Sequence, residues 1–238
     1  MHQLIEHRSR KAARILDSAR ELVLDHGVRK VTVSEIARTA GVGKGTVYLY
    51  WATKEDLILG LFARELLAFV DAVIDRITAD PAAVLPRRLA PLLISTGRDL
   101  ALKSRLSGGG EVVRLLTQEP GDRDLFARIR PRELCDAVMP ILHRHGLLHP
   151  DRPLADQSYV MHAVLTGFGI AGSDPGTDPL GVDDPDALLS DTVARLIEPP
   201  AVPDASAIGA AAAETAAVFR GTRDAVLDLI ARSQVTGD

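Results

Sequence analysis

The sequence predicts an all-α protein in which an N-terminal three-helix domain, containing a helix-turn-helix, is joined by a long helix to a second all-helical domain. Two observations support this fold class. Apolar residues recur at helical spacing along most of the 238 residues, and no stretch shows the alternating pattern of a half-buried strand. All 14 prolines lie between Pro81 and Pro203, so the first 80 residues can form helices separated by short breaks.

Four helices are predicted before the first proline, each with its own start or stop signal. Gly27 ends the first helix. The second begins with a capping box, in which the Thr32 hydroxyl and the Glu35 carboxylate can each bond a free backbone amide of the other residue. Gly41 then turns the chain, and Thr53 caps the fourth helix. The four predicted ranges are 9–26, 32–40, 44–51 and 53 to about 80.

Beyond residue 80 the helical spacing continues, but prolines divide it into shorter segments. The predicted helices cover 83–104, 108–118, 122–147 with breaks near Pro131 and Pro140, 154–172, 185–198 and 204–233. Residues 173–185 are predicted to form a loop because Gly, Pro and Asp dominate them. We therefore divide the chain into a helix-turn-helix domain at 1–56, a connecting helix at 57–80 and a helical domain at 81–238.

Composition and charge limit the class of protein. Hydrophobic residues make up 46% of the chain, and no segment has the ~20 uncharged apolar residues of a membrane helix. The chain has one cysteine, Cys135, and no signal-peptide pattern, so a cytoplasmic protein is expected. Residues 1–60 carry ten Lys or Arg and seven Asp or Glu, a balance of +3, whereas the remaining 178 residues carry 18 and 25, a balance of −7. Only the N-terminal region is therefore expected to meet a polyanion.

Residues 33–52 have the pattern of a helix-turn-helix, with two helices of about two turns joined by a three-residue turn that contains glycine. Ala37 is small enough for the two helices to cross. Gly41 can adopt the left-handed conformation that the turn requires. Five apolar residues have the spacing to close a small core: Ile36, Ala40, Val42, Val47 and Trp51.

The other side chains of this segment suit DNA. Lys44 offers an ammonium group, Thr46 a hydroxyl, and Gly45 lets the backbone approach a base or a phosphate closely. Three of the nine aromatic residues fall at positions 48, 50 and 51, and exposed aromatic residues are costly unless they are used. The full set predicted to contact DNA is Thr32, Ser34, Lys44, Gly45, Thr46, Tyr48, Tyr50 and Lys54.

The order of residues in this segment is also specific. It reads T-V-S-E-I-A-R-T-A-G-V-G-K-G-T-V-Y-L-Y-W followed by A-T-K-E-D-L-I. With I-A-x-x-A-G-V, T-V-Y and K-E-x-L in register, residues 10–70 resemble the DNA-binding domain of the tetracycline-repressor (TetR) family of bacterial transcription regulators. Gly43 stands where that family often has Ser, and Trp51 where it usually has Phe. The resemblance implies groove contacts by Lys44, Gly45 and Thr46, and phosphate contacts by Thr32, Tyr48, Tyr50 and Lys54.

The resemblance further implies a homodimeric repressor of transcription that binds operator DNA and whose second domain binds a small-molecule effector. Segments 154–172 and 185–198 are the predicted dimer helices, because both have an apolar face and the first has small residues that allow close packing. The same faces could instead complete the core of one chain. An effector pocket with a mostly aliphatic lining is expected among 83–104, 108–118 and 122–147. No cofactor is expected.

Two other functions are consistent with parts of the sequence. The helix-turn-helix can belong to a helical protein-interaction module that binds a protein partner instead of DNA. A metal-dependent enzyme could use four potential zinc ligands that lie within 15 residues, namely Cys135, His143, His145 and His149. Gly146 indicates a helix end at this point, where histidine commonly favours the negative end of the helix dipole. We therefore expect no metal site and no enzyme.

Overall fold

A computed structural model describes residues 9–98, 131–172 and 181–233, and all regular structure within these ranges is helical. The predicted all-α fold class is therefore confirmed. The described ranges contain the α-helices α1 (Arg10–His26), α2 (Val33–Thr39), α3 (Lys44–Tyr48), α4 (Lys54–Ala79), α5 (Pro86–Arg98), α6 (Pro131–Arg144), α7 (Leu154–Ala171), α8 (Pro185–Ile197) and α9 (Ala205–Ser233). The predicted helix at 108–118, the first part of 122–147 and the predicted loop at 173–180 lie outside the described residues.

The described residues belong to two compact units. The first contains 9–68 and 223–233, and the second contains 69–98, 131–172 and 181–222. Residue 69, where the second unit starts, falls inside the segment that the sequence predicts as the connecting helix. Within the part of the chain that the structure describes, no helix is long and apolar enough to cross a membrane.

Among the described residues, the first unit contains α1, α2, α3, the beginning of α4 and the end of α9. The Ser9 hydroxyl caps α1 by accepting a hydrogen bond from the Ala12 amide at 3.3 Å. Gly27 ends this helix with a φ of 79°, as predicted. Arg20 on α1 pairs with Glu65 on α4 at 2.6 Å. The buried core of the unit includes Ile15, Leu16, Ala19, Val23, Ile36, Val47, Trp51, Leu57 and Leu61.

The second unit is a packed set of helices. α5 lies against α8, α6 packs on α7, and α7 also contacts α5 and α8. The buried core of this unit includes Val73, Ile77, Val84, Leu89, Met139, Leu142, Met161, Leu165, Leu189, Val193, Ile197 and Phe219. The predicted helices 154–172, 185–198 and 204–233 are confirmed to within one residue at each end.

The predicted helix at 83–104 begins differently in the structure. Asp80 caps a short 3₁₀ helix, Pro81–Val84, by accepting a hydrogen bond from the Ala82 amide at 3.0 Å. Leu85 is then extended, with φ −55° and ψ 134°, because the residue before a proline is driven out of the helical conformation. α5 therefore starts only at Pro86.

The break predicted near Pro140 is wrong, because α6 continues through this residue to Arg144. A proline inside a helix removes the N–H that would bond the carbonyl four residues earlier, here that of Asp136. Both residues are exposed, so the carbonyl that loses its partner lies on the face that water can reach. Gly146, with a φ of 72°, follows the end of the helix.

Candidate DNA-binding surface

The helix-turn-helix starts with the predicted capping box. The Thr32 hydroxyl accepts a hydrogen bond from the Glu35 amide at 3.2 Å, and the Glu35 carboxylate accepts one from the Thr32 amide at 2.8 Å. The hydroxyl also donates to this carboxylate at 2.8 Å. The bonds from the Thr32 side chain and backbone lower the pKa of Glu35, so the carboxylate stays charged near neutral pH. The capping box therefore satisfies free backbone amides at the start of α2.

The turn between α2 and α3 depends on one glycine. Gly41 has a φ of 65°, which lies in the left-handed region that favours glycine. Its amide donates to the Arg38 carbonyl at 3.1 Å, and the Val42 amide donates to the Ala37 carbonyl at 2.9 Å. This pair of bonds is a Schellman motif, which closes the end of α2. Val42 itself is only half-buried, so it contributes less to the small core than the sequence predicts.

α3 is shorter than predicted and has two distinct faces. It ends at Tyr48 instead of residue 51, because the amides of Tyr50 and Trp51 both bond the Val47 carbonyl, each at 3.0 Å. Val47 and Trp51 are buried, with 1% and 0% of their surface exposed. The opposite side, which we call the reading face, consists of four exposed residues: Lys44, Gly45, Tyr48 and Leu49.

The reading face combines a cation with apolar surface. The Lys44 ammonium lies 5.8 Å from the centre of the Tyr48 ring, within the range of a cation–π contact. Tyr48 is 41% exposed and Leu49 is 71% exposed, so both keep large apolar groups in water. A Cβ built on Gly45 would meet no atom within 4 Å, so packing within the protein does not require glycine there. The surface is open to a partner at this point.

Leu49 is absent from the set predicted from the sequence, although its position contained the signal. It lies four residues after Gly45, and its amide donates to the Gly45 carbonyl at 3.2 Å, so the two residues share one side of the helix turn. The aromatic pattern at positions 48 and 50 predicts contacts by the two tyrosines and gives no role to the apolar residue between them.

Tyr50 occupies a different place from Tyr48. It is half-buried, its ring centre lies 5.7 Å from that of Trp51, and its hydroxyl lies 2.7 Å from the Ser9 hydroxyl. Since Ser9 also caps α1, this bond ties the end of α3 to the start of α1. The Tyr50 hydroxyl therefore already has a partner within the protein.

The other predicted contacts flank the reading face in sequence. Thr32 and Ser34 are exposed at the start of α2, Thr46 is half-buried on α3, and Lys54 is half-buried as the first residue of α4. The predicted cap before Lys54 is present, because the Thr53 hydroxyl accepts a hydrogen bond from the Asp56 amide at 3.0 Å. The assignment of all eight predicted residues to DNA stays a prediction.

The potential zinc ligands are separated in the structure. The His145 ring nitrogen Nε2 lies 2.8 Å from the Glu214 carboxylate, whereas His149 Nδ1 accepts a hydrogen bond from the Asp151 amide at 3.3 Å. Cys135 is buried, and burial raises the pKa of its thiol to about 11. Across the described ranges, no three His, Cys, Asp or Glu side chains are grouped so that they could hold a metal ion.

The two predicted dimer helices divide their apolar residues between the inside and the outside of the chain. On α7, Met161 and Leu165 are buried. Its exposed side carries two large apolar residues, Tyr159 at 73% and Ile170 at 66% exposure. The small residues Ala163 and Gly167 lie between them. We call this set the α7 stripe. On α8 the exposed apolar residues are Leu188 and Leu196.

Residues 15–61 match the family model described as bacterial regulatory proteins, tetR family. The chain is 39% identical over 61 residues to the fatty acid metabolism regulator protein of Bacillus subtilis, an alignment that covers 26% of this chain and 31% of that protein. It is 26% identical over 163 residues to the transcriptional repressor AcnR of Corynebacterium diphtheriae, which covers 67% of this chain and 80% of the repressor.

The fold of the chain also has solved counterparts. A TetR family transcription regulator from Marinobacter aquaeolei VT8 aligns with a TM-score of 0.53 and 21% identity, over 82% of this chain and 99% of that chain. At this identity the likeness concerns the fold. The chain spans less than a third of the Bacillus subtilis relative, so the higher sequence identity belongs to the segment that contains the helix-turn-helix.

Proposed function

We propose, from the match of residues 15–61 to the tetR family of bacterial regulatory proteins, that the chain is a DNA-binding transcriptional regulator of this family and a homodimeric repressor released from its operator by a small molecule. Repression is supported by the relative from Corynebacterium diphtheriae, which is named as a repressor. The site of action would be the cytoplasm, where a bacterial operator lies. The proposal includes no enzymatic activity.

The observation that carries the proposal is the reading face. Val47 and Trp51 hold α3 against the first unit, and the opposite side leaves Lys44, Tyr48 and Leu49 in water. Such a combination of a cation and apolar groups on a short, rigid helix is costly in isolation. The major groove of DNA offers both phosphate charge and apolar thymine methyl groups to such a helix.

We assign the residues of the surface as follows. Lys44, Gly45 and Thr46 would meet base edges, and Leu49 would meet a thymine methyl group. The phosphate contacts would come from Thr32, Ser34, Tyr48, Tyr50 and Lys54. The Thr32 hydroxyl donates its single proton to Glu35, so it would have to leave that bond in order to donate to a phosphate. The Tyr50 hydroxyl can donate to a phosphate without losing its partner when it accepts the proton of Ser9.

The dimer would form through the α7 stripe and the exposed side of α8. Tyr159, Ile170 and Leu188 lose water contact if two copies pack together, and Ala163 and Gly167 allow the helices to approach closely. A two-fold axis would pair identical surfaces. The two reading faces would then read half-sites separated by about one helical turn, ~34 Å, or a multiple of it. Effector binding would change operator affinity through a coupling of about 1–3 kcal/mol.

Selection from random duplex DNA with the purified full-length chain tests the proposal. We expect enrichment of an inverted repeat, and a log–log slope of affinity against salt of about −0.9 for each phosphate contacted. No enriched sequence together with a flat salt response would refute it. Capture of a specific protein through the same helix-turn-helix would then favour the protein-interaction module.

A further inference from the structure

A second charged site lies in the second unit, away from the reading face in sequence. A cavity of about 470 Å³ is lined by three arginines, Arg76 from α4 and Arg87 and Arg88 from α5. The volume is within the range of roughly 300–1,000 Å³ that is typical of small-molecule sites. Asp186 of α8 is the one carboxylate in the lining.

Arg87 is held in place by a buried carboxylate. The Glu198 side chain is 4% exposed and accepts hydrogen bonds from the Arg87 amide at 2.7 Å and from its guanidinium Nε and Nη2. A buried carboxylate is tolerated only with such a partner, so the guanidinium is fixed. Arginine has five side-chain N–H donors, and Glu198 uses two of them. The Arg87 side chain is 47% exposed, so the remaining three can bind a further anion.

The other two arginines are less constrained. Arg88 pairs with Asp80 at 2.5 Å, and both side chains are 38% exposed, so water screens this pair. Arg76 lines the cavity and makes no ion pair within 4 Å among the described residues, and its charge contributes to the lowered pKa of Asp80. Arg87 and Arg88 also lie in the first turn of α5, which has no acidic residue. The positive end of the helix dipole lies at the N-terminus, so it destabilises the charges of both Arg87 and Arg88. An anion bound there would offset this repulsion for both arginines.

The rest of the lining indicates the chemistry of the anion. Pro91 and Leu92 supply apolar wall, and Ser95 and Ser190 supply hydroxyl groups. A planar carboxylate matches the two parallel donors of a fixed guanidinium, and an apolar part of the same molecule matches the wall. A fully hydrated inorganic anion would leave the apolar wall unused.

We propose that this cavity binds an organic carboxylate with a short apolar portion and that this carboxylate is the effector of the regulator. The inference rests on the proposed function for its regulatory consequence, but binding itself does not depend on it. The three arginines attract the carboxylate by their charge, and the fixed guanidinium of Arg87 sets the orientation of the bound carboxylate.

Calorimetric titration of the full chain with benzoate, hexanoate and succinate tests binding. Benzamide, hexanamide and inorganic phosphate serve as the neutral and purely ionic controls. We expect at least one carboxylate to saturate one site per chain, with its amide at least tenfold weaker. Arg76→Gln should weaken the binding of that carboxylate about tenfold, because it removes one positive charge from the lining. Among the described residues it breaks no ion pair within 4 Å, so the fold should persist. Arg132→Gln, at an exposed arginine of α6, should leave it unchanged.

Arg87→Lys supplies a second test, since it keeps the charge opposite Glu198 but removes the fork. We expect affinity for the carboxylate to fall, and the melting temperature of the free variant, measured in parallel, separates this loss from any weakening of the Glu198 pair. No saturation by any of the three carboxylates, or equal binding by wild type and Arg76→Gln, overturns the site. Carboxylate binding that leaves operator affinity unchanged overturns the effector role. Loss of the proposed function would appear separately, as failure to select any DNA sequence.

Discussion

Two of the surfaces that expose large apolar side chains, on α3 and on α7, have different neighbouring residues. On α3, Tyr48 and Leu49 lie beside the Lys44 ammonium. On α7, Tyr159 and Ile170 lie beside small uncharged residues. Exposure alone therefore does not identify a partner. A charged neighbour favours a polyanion with apolar patches, whereas small neighbours favour another helix at close range.

The largest effect is expected from breaking the α7 stripe. Ile170→Glu would place a charge at one end of the α7 stripe, inside the proposed dimer interface, so the protein should become monomeric in light scattering. Operator affinity should then fall by at least about 100-fold, since linked binding sites typically raise affinity 10²–10⁴-fold. Ala213→Glu, at an exposed position of α9, is the matched control and should remain dimeric. A variant that stays dimeric would contradict the assignment of this stripe.

The reading face should respond next. Lys44→Ala is expected to lower operator affinity about tenfold, through loss of a contact worth ~1–3 kcal/mol if it reads a base. If Lys44 contacts a base, the variant should also discriminate less between bases at one operator position. If it contacts a phosphate instead, the log–log slope of affinity against salt should fall by about 0.9. Fluorescence anisotropy at several salt concentrations distinguishes the two, with Arg132→Ala as control. Unchanged operator affinity would show that Lys44 makes no contact with DNA that contributes to binding.

A smaller effect should define the partner of Leu49. Replacing thymine by uracil removes one methyl group, and burial of such a group contributes ~0.8 kcal/mol, so we expect about a fourfold loss at one operator position. With Leu49→Ala, the same replacement should cost nothing at that position. If every thymine behaves alike in both proteins, Leu49 reads no methyl group.

The smallest effect concerns the capping box. Thr32→Ala should lower the free energy of unfolding by about 1 kcal/mol at neutral pH, as measured by urea denaturation. Because the folded-state pKa of Glu35 is lowered from 4.5, its contribution is present above pH 4.5 and is lost as the pH falls through the folded value. The difference between wild type and Thr32→Ala should therefore shrink below pH 4.5. A difference that is independent of pH would show that the carboxylate plays no part in the cap.

The parts of the structure that the sequence predicts correctly depend on close neighbours in the chain. The box at Thr32 and Glu35 joins residues three apart, and Gly27 and Gly41 mark helix ends by their own conformation. These signals are local, so spacing and residue type are enough to read them. The all-helical fold follows from the same repeated spacing.

The parts that sequence reasoning missed depend on distance or on solvent. Pro140 stays in a helix because it faces water, which residue type does not reveal. The arginine cavity joins Arg87 of α5 to Ser190 of α8, which packing of these two helices brings together, and Arg76 of α4 also lines it. Leu49 is a third case, since its exposure depends on where α3 ends.

The burial of Trp51 has a practical consequence. It is the single tryptophan of the chain, fully enclosed in the first unit on the side of α3 opposite the reading face. Its intrinsic fluorescence therefore reports on the folding of the first unit alone, without any added label. Its emission should shift to longer wavelength when the unit unfolds, while helicity followed by circular dichroism reports on the whole chain. The two signals together would reveal whether the halves of the protein melt in one step or in two.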